Sequence, residues 1–150
     1  LGQNNISYTE FHHEPVRTSA EAVKVRPDIA LSQGAKALIV KFKTKDSQDY
    51  NFIMLVIPGD KRKKKKKVKL LLNSKDVSFA SEGEVIKITD GVLPGGVPPF
   101  GNIFNLKTIA DKDLYKNKEI AFNAGDKTIS IVMNTDDWSK VVGPEIREIC

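Results

Sequence analysis

The feature of this sequence that most constrains its fold is a glycine- and proline-rich stretch over residues 90–105. Four glycines and three prolines lie between Gly91 and Gly101, with apolar residues interleaved among them. Proline lacks a backbone N–H and holds φ at about −65°, so the stretch is neither a helix interior nor a central strand. Flexible linkers are rich in glycine and serine, whereas this stretch combines stiff prolines with apolar anchors. The pattern favours a rigid, shaped loop; a proline-rich connector between two strands is the alternative.

The backbone of this loop is a candidate ligand contact, because glycine permits backbone angles and close approaches that a Cβ would block. Gly95, Gly96 and Val97 follow one another, and their N–H groups are expected to face a ligand. Pro98 and Pro99 come next and are expected to keep the loop stiff.

Length and composition favour one soluble globular domain over residues 1–150. The chain has 40% hydrophobic and 29% charged residues. It begins at Leu1 rather than Met, so an origin within a longer protein also fits. No apolar run approaches the roughly 20 residues that a membrane-spanning helix needs. The single cysteine, Cys150, predicts no internal disulfide and a reducing, cytoplasmic compartment.

Basic charge is concentrated in residues 61–69, where eight of nine residues are Lys or Arg. Without these eight, 16 Lys and Arg remain against 19 Asp and Glu, so the remainder has a net charge of −3. A role in binding nucleic acid therefore depends on this segment, and a solvated helix face is the alternative. No aromatic residues are interleaved in the run to stack on bases. The predicted nucleic-acid contacts are Lys63, Lys64, Lys65, Lys66 and Lys67.

Hydrophobic periodicity predicts an α+β fold with a mixed sheet and no regular βαβ alternation. About seven short strands are expected, at residues 6–13, 36–43, 50–57, 77–80, 106–110, 119–123 and 128–133. Short helices are expected after Thr18, over residues 64–72, after Ser81, and after Thr135 or Asp136 until Gly143. Trp138, Phe79 and Met133 are expected in the core.

The pattern of the loop is more informative than its composition. Residues 95–101, Gly-Gly-Val-Pro-Pro-Phe-Gly, resemble the glycine–proline loop of the YbaK family, the editing domains associated with prolyl-tRNA synthetase. That loop has a Gly, three variable positions and a Pro, which here are Gly95 and Pro99. Residues 34–38, Gly-Ala-Lys-Ala-Leu, resemble the segment that carries the family's lysine, which here is Lys36.

Three further segments extend the resemblance over most of the chain. His13-Glu14-Pro15 resembles the family's His-acid-Pro segment, and Asp111 and residues 123–125 resemble its last two pocket segments. The resemblance implies a mixed, partly closed β-barrel of about seven short strands flanked by short helices. It also implies hydrolysis of the ester bond of mischarged aminoacyl-tRNA, with no cofactor. The implied partners are aminoacyl-tRNA, with the proline tRNA as one candidate, and prolyl-tRNA synthetase in cis or in trans.

The resemblance also implies where the reaction takes place. The expected catalytic residues are Lys36, Gly95, Gly96, Val97 and Pro99, and the expected substrate-binding residues are Phe11, His13, Ala37, Asn123 and Gly125. The loop N–H groups would stabilise the oxyanion, and the lysine ammonium would position a ribose or phosphate oxygen, or water. An ordinary solvated lysine is the alternative for Lys36. The family often has a polar residue where this chain has Ala37, which puts acyl specificity and full activity in question.

Other catalytic classes find little support in the sequence. His12 and His13 are the only histidines, and adjacent strand residues point to opposite faces, so they do not line one pocket together. No G-x-S-x-G elbow is present for a serine nucleophile. Two histidines and one cysteine are too few to predict a metal site. A non-catalytic tRNA-binding or synthetase-docking module with the same fold is the alternative function.

Overall fold

The computed structural model describes residues 8–12, 33–44, 49–93, 96–123 and 129–150. Within these ranges there are eight strands, three α-helices and two 3₁₀-helices. The strands are β1 (Tyr8–His12), β2 (Ala35–Thr44), β3 (Asn51–Pro58), β4 (Ser74–Phe79), β5 (Thr108–Asp111), β6 (Glu119–Asn123), β7 (Ile129–Asn134) and β8 (Glu145–Arg147). The α-helices are α1 (Lys65–Leu72), α2 (Glu82–Thr89) and α3 (Thr135–Val142), and the 3₁₀-helices are Gly101–Phe104 and Lys112–Lys116.

The described strands form two sheets. A five-stranded mixed sheet has the order β4-β2-β3-β5-β8, with antiparallel pairs around β2 and parallel pairs on both sides of β5. A three-stranded antiparallel sheet has the order β1-β7-β6. One isolated bridge, from Gly34 to Ala121, joins them at the start of β2. The predicted α+β class with a mixed sheet is confirmed. No closed barrel is found among the described strands, which pair into two sheets.

Side chains of β2 alternate between two hydrophobic cores, as the pleat of a strand requires. Ala35, Ala37 and Ile39 contact the core that we call the loop-side core, which also contains Val97, Phe100, Phe122, Met133 and Trp138. Leu38, Val40 and Phe42 contact the second, helix-side core, which also contains Ile57, Val68, Val77 and Ile149. Both faces of the central hairpin are therefore covered by protein.

The helix predictions on described residues are confirmed. Helix α1 begins at Lys65 and buries Val68. Helix α2 begins with the capping box in which Ser81 and Glu84 exchange hydrogen bonds, and α3 ends at Gly143 with a left-handed backbone. The N-cap of α3 is Asn134, one residue before the expected cap, because its side chain accepts from the N–H groups of Asp136 and Asp137. The helix expected after Thr18 lies outside the described residues.

Two sequence expectations about strands and core need correction. Strand β8 was not predicted, because its three residues, Glu-Ile-Arg, carry too little apolar pattern. Trp138 and Met133 are buried in the core as expected, but Phe79 is 59% exposed, so its assignment to the core is wrong. No helix in the described ranges is both long enough and apolar enough to span a bilayer.

Candidate functional site

The glycine–proline loop is anchored to the loop-side core at its proline end. The Trp138 indole Nε1–H donates to the Pro99 carbonyl oxygen at 2.8 Å, and this tryptophan is fully buried. Phe100 packs edge-to-face on Phe122 of β6, with ring centroids 5.3 Å apart. Val97 is also buried in this core. The part of the loop that contains Val97, Pro99 and Phe100 is therefore held against the core.

Gly101 ends this part of the loop at a position where no side chain fits. A Cβ there would overlap the Thr108 Oγ1 and would lie 2.8 Å from the Leu106 carbonyl oxygen. The Leu106 N–H also donates to the Gly101 carbonyl, which closes the turn over the 3₁₀-helix Gly101–Phe104. The close approach of β5 to the loop therefore depends on this glycine.

The backbone donors of the loop are partly used by the loop itself. The Gly96 N–H donates to the Leu93 carbonyl oxygen at 3.0 Å, and the Phe100 N–H donates to the Pro98 carbonyl oxygen at 2.8 Å. The prolines have no N–H to offer. The Val97 N–H has no hydrogen-bond acceptor within the part of the chain that the structure describes. Gly95 lies outside the described residues, so Val97 is the predicted donor that has no acceptor among the described residues.

Lys36 lies near the start of β2, where the two sheets meet. Its Cα pairs with Ile57 of β3, and the preceding Gly34 is bonded to the Gly59 N–H at 2.8 Å. The Lys36 ammonium donates to the Lys61 carbonyl oxygen at 3.2 Å, and the residue is partly exposed. The backbone that carries the lysine is therefore fixed on both sides, while its ammonium remains accessible to solvent.

The structure places Ala37 in the same core as the loop, but the Lys36 side chain leaves the other face of β2. Ala37 packs against the loop-side core that contains Val97. Lys36 lies between Ala35 and Ala37 on the strand, so its side chain leaves the opposite face, beside Ile57 of the helix-side core. The convergence of the Lys36 ammonium and the loop donors on one hollow therefore stays a prediction.

The predicted pocket wall maps onto the three-stranded sheet. Asn123 and Phe11 are both Cα partners of Ser130, which makes one row across β6, β7 and β1. Ser130 is a fully buried polar residue that the sequence analysis missed. In the sequence, the one feature that could have pointed to Ser130 is its hydroxyl within the apolar run Ile-Ser-Ile-Val-Met. His13 and Gly125 lie outside the described residues.

The basic segment before and within α1 is partly engaged in ion pairs. Lys61 pairs with Asp113 at 3.3 Å, and this hydrogen bond and charge raise the pKa of Lys61. Lys65 lies 3.8 Å from Asp76, and Lys67 lies 3.0 Å from both Glu148 and the Cys150 carbonyl oxygen. Lys65 and Lys67 connect α1 to β4 and to the C-terminal residues, and Lys61 connects the residues before α1 to the 3₁₀-helix after β5. This is a structural role.

The remaining cations of the segment face solvent or an aromatic ring. The side chains of Arg62, Lys64 and Lys66 are exposed and have no partner within the described ranges. The Lys63 ammonium lies 4.7 Å from the centroid of the Phe79 ring. Burial lowers the pKa of Lys63, and the Lys65 charge adds to this effect.

Metal and thiol chemistry find no support in the described residues. No group of three or more His, Cys, Asp or Glu side chains there is arranged to hold a metal ion. The Cys150 thiol is half-buried near Asp111, and burial followed by that carboxylate raises its pKa to about 12. A thiol with this pKa stays protonated at neutral pH, so it is a poor nucleophile.

Comparison with known proteins identifies the family. Residues 13–141 match the family described as aminoacyl-tRNA editing domain. The chain belongs to this family. The matched residues contain Lys36, the loop and the basic segment, so the editing-domain assignment covers every part of the candidate site except Phe11.

Two curated relatives and one solved structure illustrate the match. The chain is 32% identical over 147 residues to the multifunctional Ser/Thr-tRNA deacylase ProXp-y of Escherichia coli (strain K12), covering 97% of this chain and 86% of that protein. It is 25% identical to the prolyl-tRNA editing protein ProX of Acetoanaerobium sticklandii, covering 95% of this chain and 85% of that protein. A crystal structure described as a candidate trans-editing enzyme for prolyl tRNA synthetase superposes with a TM-score of 0.81 at 20% identity, covering 99% of this chain and 88% of that chain.

Proposed function

We propose that this editing domain hydrolyses the ester bond between an amino acid and the 3′ ribose of a mischarged tRNA. It is accordingly a deacylase, a hydrolase whose substrate is aminoacyl-tRNA. The observation that carries the proposal is the match along nearly the whole chain to a relative named as a Ser/Thr-tRNA deacylase. The relative named as a prolyl-tRNA editing protein supports prolyl-tRNA synthetase as a partner in cis or in trans.

The loop supplies the electrostatic part of this mechanism. Attack of water on the ester carbonyl puts negative charge on the carbonyl oxygen, and a fixed N–H donor lowers the energy of that transition state. Among the predicted loop donors that the structure describes, the Val97 N–H is the one with no acceptor in the described residues. The anchoring of Pro99 by Trp138 means that the donor does not reorganise during the reaction. Loss of one such donor typically costs about 100- to 1000-fold in rate.

Lys36 supplies a positive charge at the edge of the site. Among the described residues its ammonium contacts one carbonyl oxygen, at the protein surface, so a ribose or phosphate oxygen of the tRNA can replace that contact at small cost. In this role the lysine positions the terminal nucleotide, or the attacking water, near the ester. Ala37 on the adjacent strand position contributes an apolar surface, which fits a small acyl side chain.

A non-catalytic tRNA-binding module is the second candidate. The observations that favour it are the internal hydrogen bond of the Gly96 N–H and the position of Lys36 on the face opposite Ala37. Such a module would bind tRNA through its lysines and leave the ester intact.

The test is a deacylation assay with purified protein and a panel of tRNAs charged with cognate and non-cognate amino acids. We expect loss of the amino acid from at least one mischarged tRNA and little from correctly charged tRNA. Tight tRNA binding that falls when Lys64 and Lys66 are changed to Gln, with no ester cleavage on any member of the panel, would select the binding module instead.

A further inference from the structure

An exposed phenylalanine lies at an edge of the five-stranded sheet. Phe79 is the last residue of β4, which is the edge strand, and 59% of its surface is exposed. Its neighbour on the same face, Val77, is buried in the helix-side core. The Phe79 ring is therefore open to a binding partner, whereas the Val77 side chain is not.

The fold places a cation over this ring from a distant part of the sequence. The Lys63 ammonium lies 4.7 Å from the ring centroid, a cation–π distance. The lysine run contains no aromatic residue, but β4 brings one beside it. Arg62, Lys64 and Lys66 flank this pair in sequence, and their side chains have no partner in the described part of the chain.

The ring and the candidate catalytic lysine share one face of the sheet. Phe79 pairs directly with Val40, and Lys36 lies on that face of β2, four residues earlier. This register separates their Cα atoms by about 13 Å along the strand and about 5 Å across it. The Lys36 ammonium contacts the Lys61 carbonyl oxygen, and Lys63 follows two residues later, at most about 7 Å further along the chain. One short segment therefore connects the two positions.

An exposed aromatic ring next to unpaired cations is the combination that binds single-stranded nucleic acid, because the ring stacks on a base and the cations neutralise phosphates. The 3′ end of tRNA, which carries the amino acid, is single-stranded. We propose that Phe79, together with the exposed Arg62, Lys64 and Lys66 next to Lys63 in the sequence, is a stacking subsite for an unpaired 3′ nucleotide of the tRNA. This inference rests on the proposed function, which supplies the tRNA as the substrate.

The test uses a reporter placed at the subsite. Phe79→Trp keeps an aromatic ring and adds an indole whose fluorescence a stacked base quenches, while the native Trp138 is fully buried and gives a constant background. The probes are uncharged tRNA and the same tRNA without its unpaired 3′ nucleotides. We expect quenching by the intact tRNA only. Equal quenching by both probes, or by neither, would overturn the subsite.

Affinity measurements provide the second readout. Phe79→Ala is expected to weaken binding of the intact tRNA by about 5- to 150-fold, which is the loss of one stacked base. The matched control is Leu70→Ala, which removes another exposed apolar side chain from the same lysine-rich region and is expected to leave the affinity unchanged. Equal effects of the two substitutions would contradict the inference.

These readouts do not depend on catalysis. If the protein cleaves no charged tRNA but the introduced tryptophan is quenched by the intact tRNA alone, the stacking subsite stands and the deacylase proposal fails. If cleavage is observed and the Phe79→Ala variant binds and cleaves as the wild type does, the deacylase proposal stands and the subsite is wrong.

Discussion

At the scale of single residues, Trp138 connects the core to the glycine–proline loop. It is fully buried and donates to the Pro99 carbonyl oxygen at 2.8 Å, so it contributes both packing and a hydrogen bond. Trp138→Phe leaves that buried carbonyl without its donor, which typically lowers the free energy of unfolding by about 1–3 kcal/mol. We also expect slower deacylation, because the loop donor is then less firmly positioned. Urea unfolding measures the change in the free energy of unfolding. It is followed by circular dichroism, because the substitution removes the only tryptophan and with it the fluorescence signal.

The control for this substitution is Tyr115→Phe. Tyr115 packs beside Trp138, and its hydroxyl lies 2.8 Å from the Oγ of Ser139, which is in α3 with Trp138. The Tyr115 hydroxyl makes no hydrogen bond to the part of the loop that the structure describes. We expect Tyr115→Phe to lower stability modestly and to leave the deacylation rate unchanged. A rate loss of the same size in both variants would show that the tryptophan acts through general stability rather than through the loop.

Single residues also show where sequence reasoning succeeds and where it stops. Trp138 and Met133 lie on periodic apolar faces, and the sequence alone placed them in the core. Phe79 follows the same pattern in β4, but its strand is at the edge of the sheet, so its ring is exposed. Strand order is set by long-range pairing, which local pattern does not encode.

At the scale of elements, α3 depends on its N-cap to present Trp138. The Asn134 side chain accepts from the N–H groups of Asp136 and Asp137, at 2.9 and 3.2 Å. Asn134→Ala removes both bonds and is expected to lower the free energy of unfolding by about 0.5–2 kcal/mol. Asn134→Asp is expected to restore most of the loss, because a carboxylate accepts the same bonds and favours the helix N-terminus. If Asn134→Ala and Asn134→Asp lower the urea midpoint of unfolding equally, the capping role is contradicted.

Helices whose ends have capping residues could be predicted from the sequence. Ser81 is the N-cap of α2, as predicted, and forms a capping box with Glu84. Gly143 adopts the left-handed conformation that ends α3. Strand β8 has no such signal: it forms because Ile149 and the main chain near it attach to β5 and Asp111. The described strands form no closed barrel, and the sequence could not settle this, since sheet closure depends on pairing between distant strands.

At the scale of the whole molecule, the two sheets meet at the start of β2. Gly34 bridges to β6 on one side and accepts from the Gly59 N–H on the other, which fixes the segment that carries Lys36. The sequence identified the lysine segment, the loop and the basic segment, because each is a local pattern. It did not reveal that the basic segment lies beside Phe79, nor that three of its lysines form ion pairs with distant acids.

The central claim is that this chain cleaves aminoacyl-tRNA with the help of the Lys36 ammonium. The most direct test is the single-turnover deacylation rate of a mischarged tRNA with the wild type, with Lys36→Ala, and with Lys87→Ala as the control, a solvent-exposed lysine of α2. We predict that Lys36→Ala lowers the rate by at least about tenfold, as expected when a charge-assisted contact to the substrate is lost, and that Lys87→Ala leaves the rate unchanged. A wild-type protein that cleaves no charged tRNA, or a Lys36→Ala variant that cleaves as fast as the wild type, would contradict the account.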